Sequence, residues 1–530
     1  RAILQSYLSA HRSLVVVKDP ETAYTARMRT PGFASLKRVV MILPLVLAVA
    51  CSSDPVESTE NDNGGGGGSN GNNNINNDSG SGGVTAVYSF DSRFEPGLES
   101  VNLDSPRLRG LLIVELFNAF QELVDTADVG SGFSGPSEIR ESLRFYLESA
   151  VDDEGQIALE TSPAALQTLY SEISEVDLIG KLAGNDPATD HKDWATEFAG
   201  TDVGLPLSVA VTTPQGVVDQ ALDDFAAQLW TFQDSGARPQ DPIAGGDLPL
   251  WVTPDGLDLR ALVRFFLWGS VAYSQITDDL IDSATESRGV VASNGREGSE
   301  AYSSLESNWD QAFGYFGAAV DYPEYSVEEL AGLSDTRARF FDQNSDNAID
   351  LVTEFNHEFS LLAGLLDATA DPSAATNYSG ELYSAFYNGR EAIRAAGDEV
   401  DATELALIEA ERDAVVETLE KVVAGAMVIN ISRCLEHVSS VGTPGYSFAE
   451  HSRDYSRLKA LALSLQFNPR STLSEVELEA LQDEISFPPF SSVPSTGVVS
   501  SVSSELLSAR TRLGNAFGFA AVNLSNQSEY

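Results

Sequence analysis

A stretch near the middle of the chain has the side chains and the spacing of a calcium-binding loop. It reads FDQNSDNAIDLVTE and spans residues 341–354. Calcium prefers oxygen ligands, and a loop of the EF-hand type presents them at alternate positions around one ion. Here the first, third and fifth positions are Asp342, Asn344 and Asp346. Asn347 occupies the sixth position, where such a loop turns sharply and where Asn tolerates the left-handed conformation.

The second half of the stretch completes this pattern with one displacement. Asp350 would bind the ion directly or through water, and Ala348 would offer its carbonyl oxygen. The twelfth position is Thr353 and Glu354 follows one residue late, which predicts a modest dissociation constant of about 10⁻⁴–10⁻³ M. The predicted calcium ligands are Asp342, Asn344, Asp346, Ala348, Asp350 and Glu354. The alternative is a polar loop in which Asp350 caps the next helix.

The chain around this stretch is patterned as helices. Apolar residues recur at spacings of three and four over residues 107–127, 257–282 and 401–438. Pro136 and Pro214 stand where helices begin, because a helix needs no N–H at its first position. Strand-like alternation is rare, and residues 206–213 are the best candidate for a strand. We predict an all-α domain over residues 84–530, with two helical lobes as an alternative arrangement.

The segment 28–54 has the features of an export signal. Arg29, Lys37 and Arg38 precede an apolar run over residues 39–50, which is shorter than the roughly 20 residues needed to cross a bilayer. The run ends in LAVAC, which resembles a bacterial lipobox. That resemblance implies that Cys51 becomes the lipidated first residue of the mature protein. The alternative is an ordinary signal peptide with a chance Cys.

The residues on either side of this signal are predicted to lie outside the folded body. Residues 51–83 are nearly all Gly, Asn, Ser and acidic residues, which predicts a disordered tether behind the lipid anchor. Residues 1–27 lie upstream of a plausible Met start and are interpreted as an over-extension of the reading frame. In enteric bacteria, an Asp directly after the lipidated Cys retains a lipoprotein in the inner membrane. Ser52 occupies that position here, which favours the outer membrane, on either of its faces.

The charge of the chain excludes one class of partner. Its 79 acidic and 32 basic side chains give a net charge of -47. Such a surface repels phosphate backbones, so we expect no nucleic-acid binding. The membrane, through the lipid anchor, is the expected contact. Cys434 lies on the apolar side of its predicted helix and is interpreted as an inert core thiol.

Five blocks of the sequence carry a family resemblance. They are YSFDSRF at 88–94, SNWDQAFGYFG at 307–317, DQNSDNAIDLVTEFN at 342–356, LEKVVAGAMVINI at 419–431 and HSRDYSRLKALALSLQFNPRS at 451–471. Together they resemble a family of lipoproteins from Gram-negative bacteria catalogued as domain of unknown function 4856. The family commonly has His where Asn308 stands and often Trp where Tyr455 stands.

That family is distantly similar to imelysin-like envelope proteins, which are often linked to iron acquisition. The resemblance implies an all-helical body and leaves open a role for iron. The Gly-x-His-x-x-Glu motif of imelysin-type proteins is absent from this sequence, which weakens the expectation of iron binding or peptidase activity.

A ligand pocket is a second hypothesis. Its candidate residues are Asn308, Trp309, Asp310, Tyr315 and His451; the alternative is helix packing, which the aromatic and Gly residues of this block also suit. A metal site assembled from His437, His451 and Asp310 is a further hypothesis. Ordinary hydrogen bonds between helices are its alternative.

These observations favour a lipid-anchored, non-enzymatic envelope protein. We expect it to hold calcium in the stretch around Asp342 and to bind an unidentified small ligand, metal or envelope protein, with iron acquisition as one role. The alternatives are an imelysin-like metal-dependent peptidase or hydrolase, and a structural or adhesive surface protein. No catalytic residue is predicted.

Overall fold

The regular structure that is described consists of helices, which confirms the predicted all-α fold. The computed structural model describes residues 84–128, 132–148, 155–285, 287–333, 339–357 and 359–528. The predicted signal segment 28–50, Cys51, the tether up to residue 83 and residues 1–27 lie outside these ranges.

Twelve α-helices lie within the described ranges. They are α1 (Asp104–Asp128), α2 (Pro136–Arg144), α3 (Pro214–Ser235), α4 (Leu259–Leu267), α5 (Ser304–Phe316), α6 (Val327–Leu330), α7 (Phe359–Thr369), α8 (Tyr378–Ala395), α9 (Ala402–Ser440), α10 (Phe448–Ser464), α11 (Glu475–Glu484) and α12 (Thr496–Phe517). Short 3₁₀ turns lie at Tyr170–Glu172, Ile179–Lys181, Gly289–Val291, Tyr322–Glu324, Pro372–Ala374, Leu465–Phe467 and Asn523–Ser525. None of these described helices is long and apolar enough to cross a bilayer.

Local signals in the sequence fix where several helices start. Pro136 and Pro214 are the first residues of α2 and α3, as predicted. At α9, the Asp401 side chain accepts from Glu404 N and the Glu404 side chain accepts from Asp401 N, forming a reciprocal capping box. Some of the amide groups that these helix starts would leave unpaired are therefore absent or satisfied.

The core is built around the longest helix, α9. It packs against α7, α8, α10 and α12, and α10 in turn packs against α4. The apolar C-terminal half of α9 is almost wholly buried, because neighbours surround it on several sides. Cys434 lies on this buried surface, and burial holds the pKa of its thiol well above the ordinary value.

The central apolar helix changes its winding after α4. The chain continues without a break through two π-helical turns, Trp268–Tyr273 and Gln275–Leu280. Ile281 N donates to Ile276 O, which is the wider bond of a π turn, at 3.3 Å. Nearly every residue of this stretch is buried. The predicted central position of residues 257–282 is therefore confirmed, while the π winding was not predicted.

Two local predictions are wrong. Residues 206–213 do not form a strand: Ser208 N donates to Asp224 of α3 at 2.9 Å, and this side-chain contact replaces strand pairing. The helix expected directly after Asp350 begins only at Phe359. Residues 351–357 instead bond to the segment after α5, where Val320 N donates to the carbonyl of Thr353 at 2.9 Å.

Candidate functional site

The first half of the acidic loop, residues 342–354, is a tight turn held by its own side chains. Asp342 Oδ1 accepts from Asp346 N at 3.1 Å, and Oδ2 accepts from Asn347 N at 2.9 Å. Asn344 Oδ1 also accepts from Asp346 N, at 2.9 Å. Asn347 has a φ of 68°, the left-handed conformation that the calcium pattern requires at its sixth position. The backbone therefore wraps around the Asp342 carboxylate.

Glu354 extends back into the loop, although it follows the twelfth position by one residue. Its Oε1 accepts from Gln343 N at 3.0 Å and from Asn344 N at 3.3 Å, and its Oε2 accepts from Asp350 N at 2.9 Å. The side chain is only 2% exposed. Thr353, at the twelfth position, donates its hydroxyl to Asp350 Oδ2 at 2.9 Å. The displaced glutamate thus closes the loop from inside.

Three contacts fasten the acidic loop to the body. A bridge between Phe340 and Phe355 joins the residues that flank it. Ile349 is fully buried in the core, as expected for the apolar residue in the middle of a calcium loop. Arg107 of α1 donates to the carbonyl of Val352 at 2.8 Å and also to that of Phe355. The two ends of the loop and its buried Ile349 are therefore held in place by the surrounding body.

The donor atoms of the loop suit a hard cation such as calcium. An ionised carboxylate has about four lone-pair sites. Each oxygen of Asp342 uses one of these sites to accept a hydrogen bond from the backbone. Lone pairs therefore remain for an ion. Among the described residues, however, no three carboxylate, imidazole or thiol groups converge as a metal centre. Calcium binding would require the side chains of Asp342, Asp346 and Glu354 to turn toward the ion together.

Gln167, which sequence reasoning missed, contacts the loop from a distant segment. Its Nε2 donates to Asp350 Oδ1 at 2.8 Å, and its Oε1 accepts from Leu351 N at 2.9 Å. Next to it, Ala165 forms a parallel bridge with Ile349. A single Gln in a segment without periodicity gives no signal from which this role could be read.

Four of the five predicted pocket residues lie within α5, and three of them make packing contacts. Trp309 is fully buried, and its Nε1 donates to Phe386 O of α8 at 2.8 Å. Asn308 Nδ2 donates to Gly289 O at 3.2 Å. Tyr315 is also buried. These contacts join α5 to its neighbours in the way that the packing alternative expects.

Asp310, the fourth pocket residue, belongs to a buried ionic network. Its Oδ1 accepts from Arg390 Nε and from the Tyr88 hydroxyl, both at 2.9 Å. Arg390 Nη1 also donates to Glu306 Oε1 at 3.0 Å. Burial raises the pKa of Asp310, and the Arg390 charge opposes that rise. This network joins α5 and α8 to the segment before α1. The sequence offered one signal for it, an arginine on the apolar face of α8.

His451, the fifth pocket residue, lies in a different network. Its ring stacks on His437 with centroids 5.1 Å apart, and its Nδ1 lies 3.2 Å from the Tyr446 hydroxyl. Burial and the neighbouring His437 lower the pKa of His451 to about 3. His437 Nε2 lies 3.0 Å from Asp454, whereas Asp310 is bound by Arg390. The structure thus brings the two histidines together and provides Asp454, not Asp310, as their carboxylate neighbour.

A cleft of about 730 Å³ lies between α10, α11 and residues 192–212. Gln482 lines this cleft. Lys459 of α10 is fully buried next to it and donates a hydrogen bond from Nζ to Gln482 Oε1 at 2.7 Å. Burial lowers the pKa of Lys459 to about 7, because desolvation disfavours the ammonium form. The cleft is lined on one side by Asp202 and Asp483. Sequence reasoning missed this lysine, which has no motif around it.

Comparison with known proteins assigns the chain to a family. The family model described as Domain of unknown function (DUF4856) matches residues 213–486, more than half of the chain. The match contains the acidic loop and helices α3 to α11, while the block at 88–94 lies outside it. No curated protein and no solved structure matches the chain. Because its model covers most of the helical body, this chain belongs to the family described as Domain of unknown function (DUF4856).

Proposed function

We propose that the chain is a lipid-anchored, non-enzymatic protein of the cell envelope whose helical body binds calcium in the acidic loop. The observation that carries the calcium proposal is the placement of Glu354. This carboxylate is buried inside a loop that has Asp342, Asn344 and Asp346 at alternate positions and a left-handed Asn347. Calcium is a hard cation that takes oxygen ligands from loops of this kind.

The lipid anchor and the location in the outer membrane are proposed from the sequence at residues 28–51. A ligand or envelope partner of the body, including one in iron acquisition, is proposed from the family resemblance. The lipid anchor has a test of its own. Radiolabelled fatty acid should be incorporated into the expressed protein and lost in Cys51→Ser, and a Cys51→Ser variant that keeps the label would refute the anchor.

The calcium proposal is tested by the stability of the full chain with calcium and with a chelator. Calcium at one hundred times its dissociation constant would raise the free energy of unfolding by about 2.7 kcal/mol. The double variant Asp342→Ala/Asp346→Ala should lose this gain. A control double variant, Asp255→Ala/Glu297→Ala, removes the same charge from exposed positions and should keep it. Equal stability of the wild-type protein with calcium and with chelator would refute the proposal.

A further inference from the structure

A cavity of about 250 Å³, called the apolar cavity, lies between α9 and the two segments 370–378 and 518–526. Val428 and Ile429 of α9 contribute buried apolar side chains to its lining, and Phe519 contributes an aromatic ring. Protein interiors are close-packed and contain few voids larger than a water molecule. A void of this size therefore exceeds what ordinary packing leaves.

Two asparagines hold the walls of the apolar cavity apart. Asn523 Oδ1 accepts from Asp371 N at 2.8 Å, and its Nδ2 donates to Ala374 O at 2.8 Å. Asn526 Nδ2 donates to Thr369 Oγ1 at 2.7 Å. These bonds join the segment after α12 to the end of α7 and to the loop that follows it. Because they fix the spacing of the two walls, the cavity is preformed and cannot close without breaking them.

The polar side chains of the lining are largely used in building the walls. Both amide groups of Asn523 are bonded as described, and Asn526 Oδ1 accepts from Ser528 N at 3.0 Å. The hydroxyl of Thr376 donates to Leu366 O at 3.4 Å. None of the residues that the structure describes around the cavity is charged. The interior therefore offers apolar contact and no counter-charge for an ion.

Tyr378 supplies the cavity with one available polar group. It lines the cavity, and in the part of the chain that the structure describes no group bonds to its hydroxyl. Burial raises the pKa of Tyr378 to about 12, and the charges of Asp367 and Glu381 add to that rise. The hydroxyl therefore stays protonated at neutral pH, where it can donate or accept a hydrogen bond. The same two carboxylates would repel an anion at this position.

We propose that the apolar cavity binds a small uncharged molecule of one or two apolar rings, whose single polar group bonds to the hydroxyl of Tyr378. A cavity of about 150 Å³ holds one benzene ring, so one of about 250 Å³ has room for two fused rings. A charged molecule would lose its hydration there without compensation. This inference rests on the part of the proposed function that gives the body a ligand, and it depends neither on calcium nor on the lipid anchor.

Isothermal titration calorimetry of the full chain with indole tests this inference. Indole has two fused rings and one polar group, and we expect a dissociation constant of about 10⁻³ M or below. Indole-3-carboxylate adds a negative charge to the same rings and should bind at least about 10-fold more weakly.

Variants that fill the cavity locate the binding. Ala520→Leu enlarges a residue of the lining and should abolish indole binding. Ala521→Leu adds the same atoms at the next position, which is exposed and outside the lining, and should leave the affinity unchanged. Ala370→Leu fills the cavity from another wall and provides the same test should Ala520→Leu not fold. Circular dichroism checks the fold of each variant.

The role of Tyr378 is tested by removing one hydroxyl and one N–H group in turn. Tyr378→Phe keeps the ring and should weaken indole binding by about 2–10-fold, the usual contribution of one hydrogen bond. The binding of 1-methylindole, which has no N–H to offer, should be the same in this variant and in the wild-type protein. Equal loss for the two ligands would overturn the assignment of Tyr378.

The outcomes separate this inference from the proposed function when each titration is run with calcium and with chelator. No indole binding by the wild-type protein, or unchanged binding by both filling variants, overturns the inference and leaves the calcium proposal standing. Equal affinity for indole and indole-3-carboxylate also overturns it, because the ligand would not be uncharged. Indole binding that is kept in a protein whose stability ignores calcium supports the inference and refutes the calcium proposal alone.

Discussion

Arg390 Nε donates a 2.9 Å hydrogen bond to Asp310 Oδ1, and both side chains are fully buried. Arg390 also binds Glu306 and, at 2.7 Å, the hydroxyl of Ser100. One cation therefore faces two buried carboxylates, and Arg93 at the edge of the network supplies a second cation to Glu306. The network joins α5, α8 and the segment that precedes α1.

Arg390→Met should destabilise the protein by about 3–5 kcal/mol, because it leaves buried carboxylates without their main cation. Arg394→Met is the matched control on the same helix. Arg394 is 38% exposed and pairs with Glu391 at 3.5 Å, and its loss should cost less than about 1 kcal/mol. Urea unfolding monitored by circular dichroism measures both. Similar losses for the two variants would contradict the role given to the network.

Stability should fall with rising pH because of Glu115. Burial raises the pKa of its carboxyl group from 4.5 to about 7. The folded protein therefore keeps a proton that the unfolded chain releases, so this contribution is complete below pH 4.5 and is lost as pH rises through 7. At a cost of 1.36 kcal/mol for each pKa unit, the whole effect is about 3 kcal/mol.

Glu115→Gln should therefore flatten the dependence of unfolding free energy on pH between 4.5 and 7. Asp125→Asn changes an exposed carboxylate of the same helix that does not contribute to the raised pKa of Glu115, and it should leave that dependence as in the wild-type protein. Chemical denaturation across this pH range provides the measurement. Parallel curves for the wild-type protein and Glu115→Gln would show that the carboxyl group titrates alike in both states.

Lys459 should give the opposite dependence on pH. Burial lowers the pKa of its amine from 10.5 to about 7. Between these two pH values the unfolded chain binds more protons than the folded protein, so stability rises with pH across that range. Lys459→Met should remove that rise and stabilise the protein at pH 7 by roughly 1–4 kcal/mol, because no buried charge has to be accommodated. Lys421→Met, at a half-buried position, is the control. A less stable Lys459→Met variant would contradict this account.

Gly389 of α8 should tolerate no side chain. A Cβ atom there would lie 1.9 Å from Cζ2 of the buried Trp309 ring. Gly389→Ala should therefore destabilise the protein by about 1–3 kcal/mol through overpacking. Gly497→Ala, near the start of α12, meets its nearest atom at 3.8 Å and should be neutral or slightly stabilising. Thermal unfolding followed by tryptophan fluorescence compares the two variants, and equal melting temperatures would contradict the prediction.

The helices were readable from the sequence because their signals are local. The capping pair Asp401 and Glu404 marks the start of α9, and the spacing of apolar residues follows its buried face. The left-handed Asn347 was predicted for the same reason, since the pattern of alternating oxygen ligands fixes where the loop must turn.

The contacts that complete the candidate site were not readable, because they join distant parts of the chain. Gln167 and Asp350 are separated by 183 positions, and nothing in the sequence near either residue indicates the other. Residues 351–357 have helical spacing, yet the carbonyl of Gly317 accepts from His357 N at 2.9 Å. Tertiary hydrogen bonds of this kind override a local helical preference.

The two π turns after α4 have a consequence for insertions and deletions in this family. Each π turn holds about one residue more than an α turn, so it lets an extra residue enter a helix without breaking it. Shortening residues 268–280 by one would convert one wide turn to ordinary winding and leave the residues beyond it in their orientation, whereas the same deletion within an ordinary α turn would rotate them by about 100°. Thr277, whose hydroxyl donates to Phe467 O at 3.1 Å, is a contact that reports whether this orientation is kept.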